Sequence, residues 1–283
     1  MTAALDLPRI HREALQIARD AGALLLDGHR RELVVEHKGE VDLVTQVDLA
    51  SERLVIDRLQ RAFPGHRVIG EESGLHEADE AVGDGRPLWY VDPLDGTTNY
   101  AHRLPWYAVS LALELDGVAQ VGVVLAPACD WEFSAIRGQG AHLNGEPLSV
   151  SRTTTARAAL VATGFPYHRR RFDNVDNVRA VLESFQGLRR VGSAALDCAM
   201  VAAGWLDAYW EYTVRPWDIA AGALLAREAG GKVTAADGSP FRSGAGSILA
   251  SNGQPALHER LAALVRGPLP DPAKDDAQRP PGC

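Results

Sequence analysis

The longest apolar stretch of the chain is interrupted near its middle by an Asp-Gly pair, and this determines how the stretch can fold. Residues 108–125 are rich in Val, Leu and Ala, and Asp116-Gly117 divides them into two runs of strand length. Asp-Gly between two apolar runs is a strong signal for a two-residue hairpin turn. The stretch therefore predicts two antiparallel strands, which residues 131–136 and a turn at Asn144-Gly145 extend into a meander.

Two amphipathic helices are predicted ahead of this meander. Residues 7–31 place apolar side chains at helical spacing, and residues 48–63 do the same before a Pro-Gly pair ends the helix. Short strands are predicted at 42–47, 67–70 and 88–91, of which the last two end at acidic residues. The first half of the chain therefore reads as α+β with an antiparallel sheet.

From about Arg157 the pattern changes to strands that alternate with helices, which is typical of an α/β fold. The predicted strands cover residues 160–163, 188–191, 208–212 and 248–250, and the predicted helices cover 173–185, 194–203, 217–229 and 254–265. We therefore expect an α+β half at 1–156, an α/β half at 157–266, and a disordered proline-rich tail at 267–283.

The charge and cysteine content of the chain exclude several classes of partner and location. Of the 283 residues 37 are acidic and 29 basic, and the resulting charge of −8 repels nucleic acid and anionic lipid. Three cysteines without a CxxC pair suit a reducing compartment. The sequence shows neither a signal peptide nor an apolar run long enough to span a membrane, so we expect a cytoplasmic protein.

Acidic residues stand where predicted strands end or predicted helices begin. Chain segments of this kind converge on functional sites, and carboxylates gathered in one cleft repel each other unless a cation neutralises them. Oxygen ligands select a hard ion such as Mg²⁺. Each acid alone has an ordinary alternative as a turn, a solvated strand edge or a helix cap. The group consists of Asp42, Asp48, Glu71, Glu72, Asp92, Asp95 and Asp218.

The segment DPLDGTT at residues 92–98 has the chemistry of a metal and phosphate site. Asp92 and Asp95 flank a proline-stiffened turn and can ligate neighbouring ions, with the Leu94 carbonyl exposed between them. Gly96 permits close approach of a ligand to the backbone. The amides of Gly96 and Thr97 would begin a helix whose N-terminus can hold phosphate.

Taken together, these segments resemble the inositol monophosphatase family, a branch of the lithium-sensitive, magnesium-dependent phosphatases. The shared motifs are GEES at 70–73, WYVDPLDGTTNY at 89–100 and WDIAAG at 217–222, with DLVT at 42–45 ahead of Asp48. They occur in the order and at the spacing of the family, across about residues 8–265. The resemblance implies a layered α-β-α-β-α sandwich, a homodimer, and a requirement for two or three Mg²⁺ ions.

The resemblance also implies a role for each matched position. Glu71, Asp92 and the Leu94 carbonyl would hold the first ion, while Asp92, Asp95 and Asp218 would hold the second. A third and weaker ion would lie near Glu71 through waters.

Water activation and substrate binding follow from the same resemblance. Glu71 and Thr97 would orient the attacking water, with Asp48 behind Thr97, and the attack would be direct and in line. Lys38 would lie in a mobile loop near the metals, although this loop is one residue shorter than in some relatives. The pocket for the substrate ring would be lined by Asp95, Gly192, Ser193, Ala194 and Glu211.

The function expected from the sequence is hydrolysis of a small phosphomonoester, with inositol 1-phosphate as substrate. One alternative is a phosphatase of the same fold that acts on 3′-phosphoadenosine 5′-phosphate, histidinol phosphate or fructose 1,6-bisphosphate. Such relatives vary near DGTTNY and near residues 165–167. The other class is a non-enzymatic regulatory protein, because some family members resemble partners of the transcription machinery. That role would not need every metal ligand.

Overall fold

The computed structural model describes residues 5–30, 35–37, 43–75, 85–165 and 174–265. Lys38, Asp42, residues 166–167 and the predicted tail at 267–283 lie outside these ranges. The helices are α1 Leu7–Arg30, α2 Gln46–Ala62, α3 Thr97–Ala101, α4 Val175–Ser184, α5 Ala194–Ala202, α6 Pro216–Glu228 and α7 Pro255–Leu264. Within the described ranges none of them is both long enough and apolar enough to cross a bilayer.

The strands form one small pair and two larger sheets. They are β1 Val35–His37, β2 Leu43–Thr45, β3 Arg67–Gly70, β4 Gly74–Leu75, β5 Leu88–Asp95, β6 Ala108–Leu115, β7 Val118–Ala126, β8 Trp131–Ile136, β9 Ala141–Leu143, β10 Glu146–Pro147, β11 Leu160–Thr163, β12 Gly187–Arg189, β13 Ala208–Tyr212, β14 Lys232–Thr234 and β15 Ser247–Ser251. The larger sheets have the orders β10-β9-β8-β7-β6-β5-β3-β4 and β12-β11-β13-β15-β14. Strands β3 and β5 are parallel, as are β11 and both of its neighbours, and the other pairs are antiparallel.

Side-chain alternation along the strands divides the core into layers. In β6, Val109, Leu111 and Leu113 pack with α1 and α2 on one face of the eight-stranded sheet. Ala108 and Ala112 pack on the other face, against α5 and α6. The opposite sides of α5 and α6 pack against the five-stranded sheet, whose outer face is covered by α4 and α7. The arrangement is the α-β-α-β-α sandwich expected from the sequence, and the predicted fold class is therefore confirmed.

The meander and its turns follow the prediction closely. Asp116 and Gly117 both have positive φ, of 51° and 74°, as a two-residue turn that matches the twist of its strands requires. The chief local difference concerns residues 92–95, which the sequence analysis treats as a turn. There β5 continues to Asp95, with a shift of register against β6 between Asp92 and Asp95.

The middle layer is built from small side chains, which allow helices α5 and α6 to approach closely. Gly222 of α6 lies against Cys198 of α5, and a Cβ added at Gly222 would fall 3.2 Å from the Cys198 Sγ and nearer still to its Cβ. The same helix begins with Pro at its first turn, where proline is favoured, and carries Asp218 in that turn. Close packing of α6 therefore determines where Asp218 lies.

Candidate metal and phosphate site

The end of β5 supplies two carboxylates to a common cluster. Residues three apart on a regular strand point to opposite faces, which would separate Asp92 from Asp95. The shift of register changes this geometry, and the Asp92 Oδ1 accepts a hydrogen bond of 2.9 Å from the Leu94 amide. The two carboxylates are then near enough to interact electrostatically.

Glu71 and Asp218 join this cluster from two other segments of the chain. Glu71 follows β3, and its amide donates to the Val91 carbonyl at 3.1 Å. The Asp218 carboxylate accepts from the Arg215 amide at 2.7 Å and so also caps its own helix. Glu71 shares a hydrogen bond with Asp92 and interacts electrostatically with Asp218.

Burial and mutual repulsion both disfavour the charged forms of this carboxylate cluster. Burial, together with the nearby charges of Glu71, Asp95 and Asp218, raises the pKa of Asp92 well above its ordinary value. Burial and the charges of Glu71 and Asp95 raise the pKa of Asp218 in the same way. A bound cation would offset both the burial and the repulsion of these charges.

The chemistry of the cluster fits a divalent metal ion. Its donors are carboxylate oxygens, with the Leu94 carbonyl alongside, and such a set selects hard ions. As the side chains stand in the described residues, no group of three or more His, Cys, Asp or Glu has the spacing needed to hold a metal ion. The cluster is therefore an open acidic group that a cation would draw together.

Thr97 lies beside the carboxylates at the start of the short helix α3. Its hydroxyl lies 3.2 Å from the Asp48 Oδ1 and 3.1 Å from the Leu94 carbonyl, both of which are acceptors. Gly96 precedes it with a φ of 92°, and a side chain there would press against the Trp106 carbonyl. The sequence-predicted helix start at Gly96-Thr97 is thus present, and Asp48 contacts Thr97 directly.

The residues expected to line the ring pocket lie on the other side of Asp95. The Asp95 Oδ2 accepts hydrogen bonds of 2.6 Å from the Ser193 hydroxyl and 2.7 Å from the Ala195 amide. The Asn99 amide nitrogen lies 2.9 Å from the Val191 carbonyl and so ties this loop to α3. Burial raises the pKa of Asp95 to about 6, although these hydrogen bonds oppose the shift.

Glu211 lies near Asp95 and belongs to strand β13. Its carboxylate accepts a hydrogen bond from the Tyr209 hydroxyl, and a side chain at Gly164 would overlap it. Burial, and to a lesser degree the charge of Asp95, raises the pKa of Glu211 to about 7. The structure therefore brings Glu211, Asp95 and Ser193 together, whereas Lys38 lies outside the described residues.

Two buried acids near the site were missed by the sequence analysis. Asp197 lies on α5 close to Glu211 and Asp95, and its Oδ1 has no hydrogen-bond partner. A single acid inside the apolar run of α5 was a signal that could have drawn attention to it. Glu52 on α2 contacts the turn that contains Glu71, and nothing in its local sequence distinguishes it from a solvated acid.

The chain is similar in sequence to known proteins along most of its length. Residues 6–268 match the profile of the inositol monophosphatase family. The chain is 44% identical over 246 residues to the Nus factor SuhB of Pseudomonas aeruginosa, covering 84% of this chain and 90% of that protein. It is 40% identical over 235 residues to the inositol-1-monophosphatase of Synechocystis, covering 82% and 79% respectively.

The fold agrees as well. The structure of inositol monophosphatase from Anabaena (Nostoc) superposes with a TM-score of 0.81 at 41% sequence identity, covering 92% of this chain and 96% of that one. A match across nearly the whole chain, in both sequence and fold, leads to one conclusion. The chain belongs to the inositol monophosphatase family.

Proposed function

We propose that this protein is a magnesium-dependent phosphatase that hydrolyses inositol 1-phosphate. The observation that carries the proposal is the meeting of Glu71, Asp92, Asp95 and Asp218 in one cluster whose buried members repel each other. By the family pattern, Glu71, Asp92 and the Leu94 carbonyl would hold one Mg²⁺, and Asp92, Asp95 and Asp218 a second. Bound ions would neutralise the cluster, polarise the phosphate and make a water molecule more acidic.

The protein side chains would then orient and deprotonate that water. When the Thr97 hydroxyl donates to Asp48, its oxygen is left with lone pairs that can accept a hydrogen bond from the water. Glu71 lies in the same cluster and can take the proton as general base. The backbone amides at Gly96 and Thr97 would bind the phosphate oxygens.

Asp95 and Glu211 would recognise the polyhydroxylated ring. Hydrogen bonds from Ser193 and Ala195 fix the Asp95 carboxylate, and Tyr209 fixes that of Glu211. Paired carboxylates accept hydrogen bonds from sugar-like hydroxyls, and a pocket built this way rejects analogues that lack them. Gly192 and Ala194 would complete the wall beside them.

A phosphate-release panel in Mg²⁺ tests the proposal. The substrates are inositol 1-phosphate, 3′-phosphoadenosine 5′-phosphate, fructose 1,6-bisphosphate and histidinol phosphate. We expect the highest kcat/KM for inositol 1-phosphate, and preference for any of the other three would overturn the substrate assignment. Glu211→Gln should raise KM for inositol 1-phosphate more than it lowers kcat, whereas Glu183→Gln on the exposed face of α4 should change neither.

Exposed apolar side chains support the further proposal that the protein forms a homodimer. Leu104, Trp106 and Trp205 are 42%, 41% and 44% exposed, and the Trp205 ring lies 4.7 Å from that of Trp131. Exposed apolar surface of this kind is what a subunit interface would cover. Trp106→Glu should give a monomer by light scattering, while Leu182→Glu, at an exposed leucine of α4, should not. A monomeric wild type would refute the dimer.

A second candidate role, as a Nus factor, is favoured by the name of the Pseudomonas relative. That role would need no metal ligand, whereas every proposed ligand is present in this chain. Complementation of a strain lacking the relative, by wild type and by Asp92→Asn, separates the two functions. Rescue by both proteins would support a role independent of phosphatase activity, and rescue by neither would count against it. The cytoplasmic location stays a prediction.

A further inference from the structure

One face of helix α2 buries three polar side chains in succession. Asp48, Ser51 and Glu52 are 1%, 0% and 3% exposed, and their spacing of three and four residues places them on the same side of the helix. Buried polar groups are costly unless they are hydrogen-bonded. Each of the three has a partner, and each partner belongs to a segment that carries proposed metal ligands.

Glu52 makes the most extensive of these contacts. Its Oε2 accepts a hydrogen bond of 2.8 Å from the Glu72 amide, and its Oε1 accepts one of 2.7 Å from the Ser73 amide. Two charge-assisted bonds to consecutive amides fix both the position and the orientation of the turn. Gly70 provides the space, because a Cβ at that position would overlap the Glu52 carboxylate.

The turn held by Glu52 presents Glu71 to the cluster. Glu71 immediately precedes the two bonded amides, and its side chain interacts with Asp92 and Asp218. On the same helix face, the Ser51 hydroxyl donates to the Pro93 carbonyl at 3.1 Å, between the two ligands of β5. One rigid helix thus holds the Glu71 segment and the β5 segment in a fixed relation.

We propose that Glu52 is a positioning residue that sets Glu71 against Asp92 and thereby determines the affinity of the site for a divalent cation. The inference rests on the proposed metal site. It does not depend on which phosphomonoester is hydrolysed. Ser51 acts in the same way on the β5 segment, through a single neutral bond.

Glu52→Gln is the variant of choice, since it keeps the shape of the side chain. The amide can accept from only one of the two backbone N–H groups and turns its own NH₂ towards the other. Asp57→Asn, on the exposed side of the same helix, is the matched control. Glu52→Asp keeps the charge but is shorter by one methylene, and it should give an intermediate result.

The first measurement is Mg²⁺ binding without substrate, by calorimetry and by the shift in Tm on adding the ion. Loss of a group that orients metal ligands typically weakens binding or activity roughly 10–100-fold, and we expect at least roughly tenfold weaker Mg²⁺ binding for Glu52→Gln. Asp57→Asn should bind Mg²⁺ as the wild type does. A lower Tm with unchanged Mg²⁺ affinity would mean a purely structural role and would overturn the proposal.

The second measurement is amide hydrogen exchange in the metal-free protein. At least one of the Glu72 and Ser73 amides should exchange faster in Glu52→Gln than in the wild type, because the carboxamide side chain can accept from only one of them. Unchanged exchange at both amides would refute the contact itself. If Glu52→Gln fails to fold, Glu52→Asp replaces it, and wild-type Mg²⁺ affinity in that variant would overturn the proposal.

The two proposals can fail separately. A wild type that releases no phosphate from any substrate of the panel, yet binds Mg²⁺ in a manner that Glu52→Gln weakens, would refute the proposed function alone. An active wild type whose Mg²⁺ affinity is unaffected by Glu52→Gln would refute the positioning role alone.

Discussion

His258 is buried between two hydroxyl groups that hydrogen-bond both nitrogens of its neutral ring. In the tautomer with the proton on Nε2, the Thr234 hydroxyl accepts from the His258 Nε2–H at 3.1 Å and itself donates to the Ala235 carbonyl at 2.8 Å. The Nδ1 then accepts from the Ser251 hydroxyl at 2.8 Å, while the Gly253 amide donates to that same oxygen. A proton on Nδ1 would oppose the Ser251 hydroxyl proton, and protonation should therefore destabilise the fold.

The size and sign of this effect follow from the pKa. Burial, aided by the positive charge of Lys232, lowers the pKa of His258 from 6.5 to about 4. The folded protein binds this proton less readily than the unfolded chain, so the stabilising contribution is complete above pH 6.5 and is lost as the pH falls to 4. At ~1.4 kcal/mol per pKa unit the full loss is about 3 kcal/mol, of which about 2 kcal/mol is reached at pH 5.

Urea denaturation of the metal-free wild type and of His258→Gln, near pH 7.5 and about pH 5, measures this loss. The carboxylates act in the opposite direction, because the raised pKa values of Asp95 and Glu211, to about 6 and about 7, make acid stabilise the fold through them. Both proteins share those groups, so the difference between them isolates His258. We expect the wild type to lose about 2 kcal/mol more than the variant. Parallel loss in the two proteins would refute the neutral ring.

Three further predictions concern packing, strain and charge. Gly222→Ala should lower the free energy of unfolding, measured by urea denaturation, by about 1–3 kcal/mol, because the new methyl group overlaps Cys198. Gly65→Ala is the control: a Cβ there meets open space, so its free energy of unfolding should differ from that of the wild type by no more than about 0.5 kcal/mol. Thr213 has a φ of 61°, so Thr213→Gly should raise Tm by relieving about 1 kcal/mol of strain, and an unchanged or lower Tm would contradict this. Asp92→Asn should raise the Tm of the metal-free protein, because it removes a buried charge and its repulsion by neighbouring carboxylates, and should abolish the further rise on adding Mg²⁺. A lower metal-free Tm would show that the Asp92 carboxylate does not destabilise the metal-free fold.

Local patterns in the sequence predict much of this fold because each pattern has a local physical cause. The hairpin at Asp116-Gly117 needs only two residues that tolerate positive φ. The apolar run at 88–91 predicts a strand that ends before Asp92, yet the strand continues past Pro93 through a shift of register. That continuation depends on pairing with β6, which no local pattern contains.

The acidic cluster was visible in the sequence for a different reason. Acids at the ends of apolar runs, such as Glu71 after β3 and Asp218 at the start of α6, are exceptions to the pattern around them. Glu52 does not stand out from the sequence around it in this way, because acidic residues are common on helices. In the sequence, a helix face that is polar and buried cannot be told from one that is polar and exposed to solvent. The residues that would hold the site in place are therefore harder to predict than those that would contact the ion.

The location of the site makes its chemistry dependent on the middle layer of the sandwich. Asp95 comes from the eight-stranded sheet but is held by Ser193 and Ala195 at the start of α5, and Asp218 stands at the start of α6. These two helices pack at the distance that Gly222 permits. Gly222 and Asp218 are one helical turn apart on the same face, so a side chain at 222 would move the carboxylate along with the helix. We therefore expect Gly222→Ala to weaken Mg²⁺ binding as well as to lower the stability of the fold. A variant that loses stability but keeps wild-type Mg²⁺ affinity would show that α6 accommodates the methyl group without displacing Asp218.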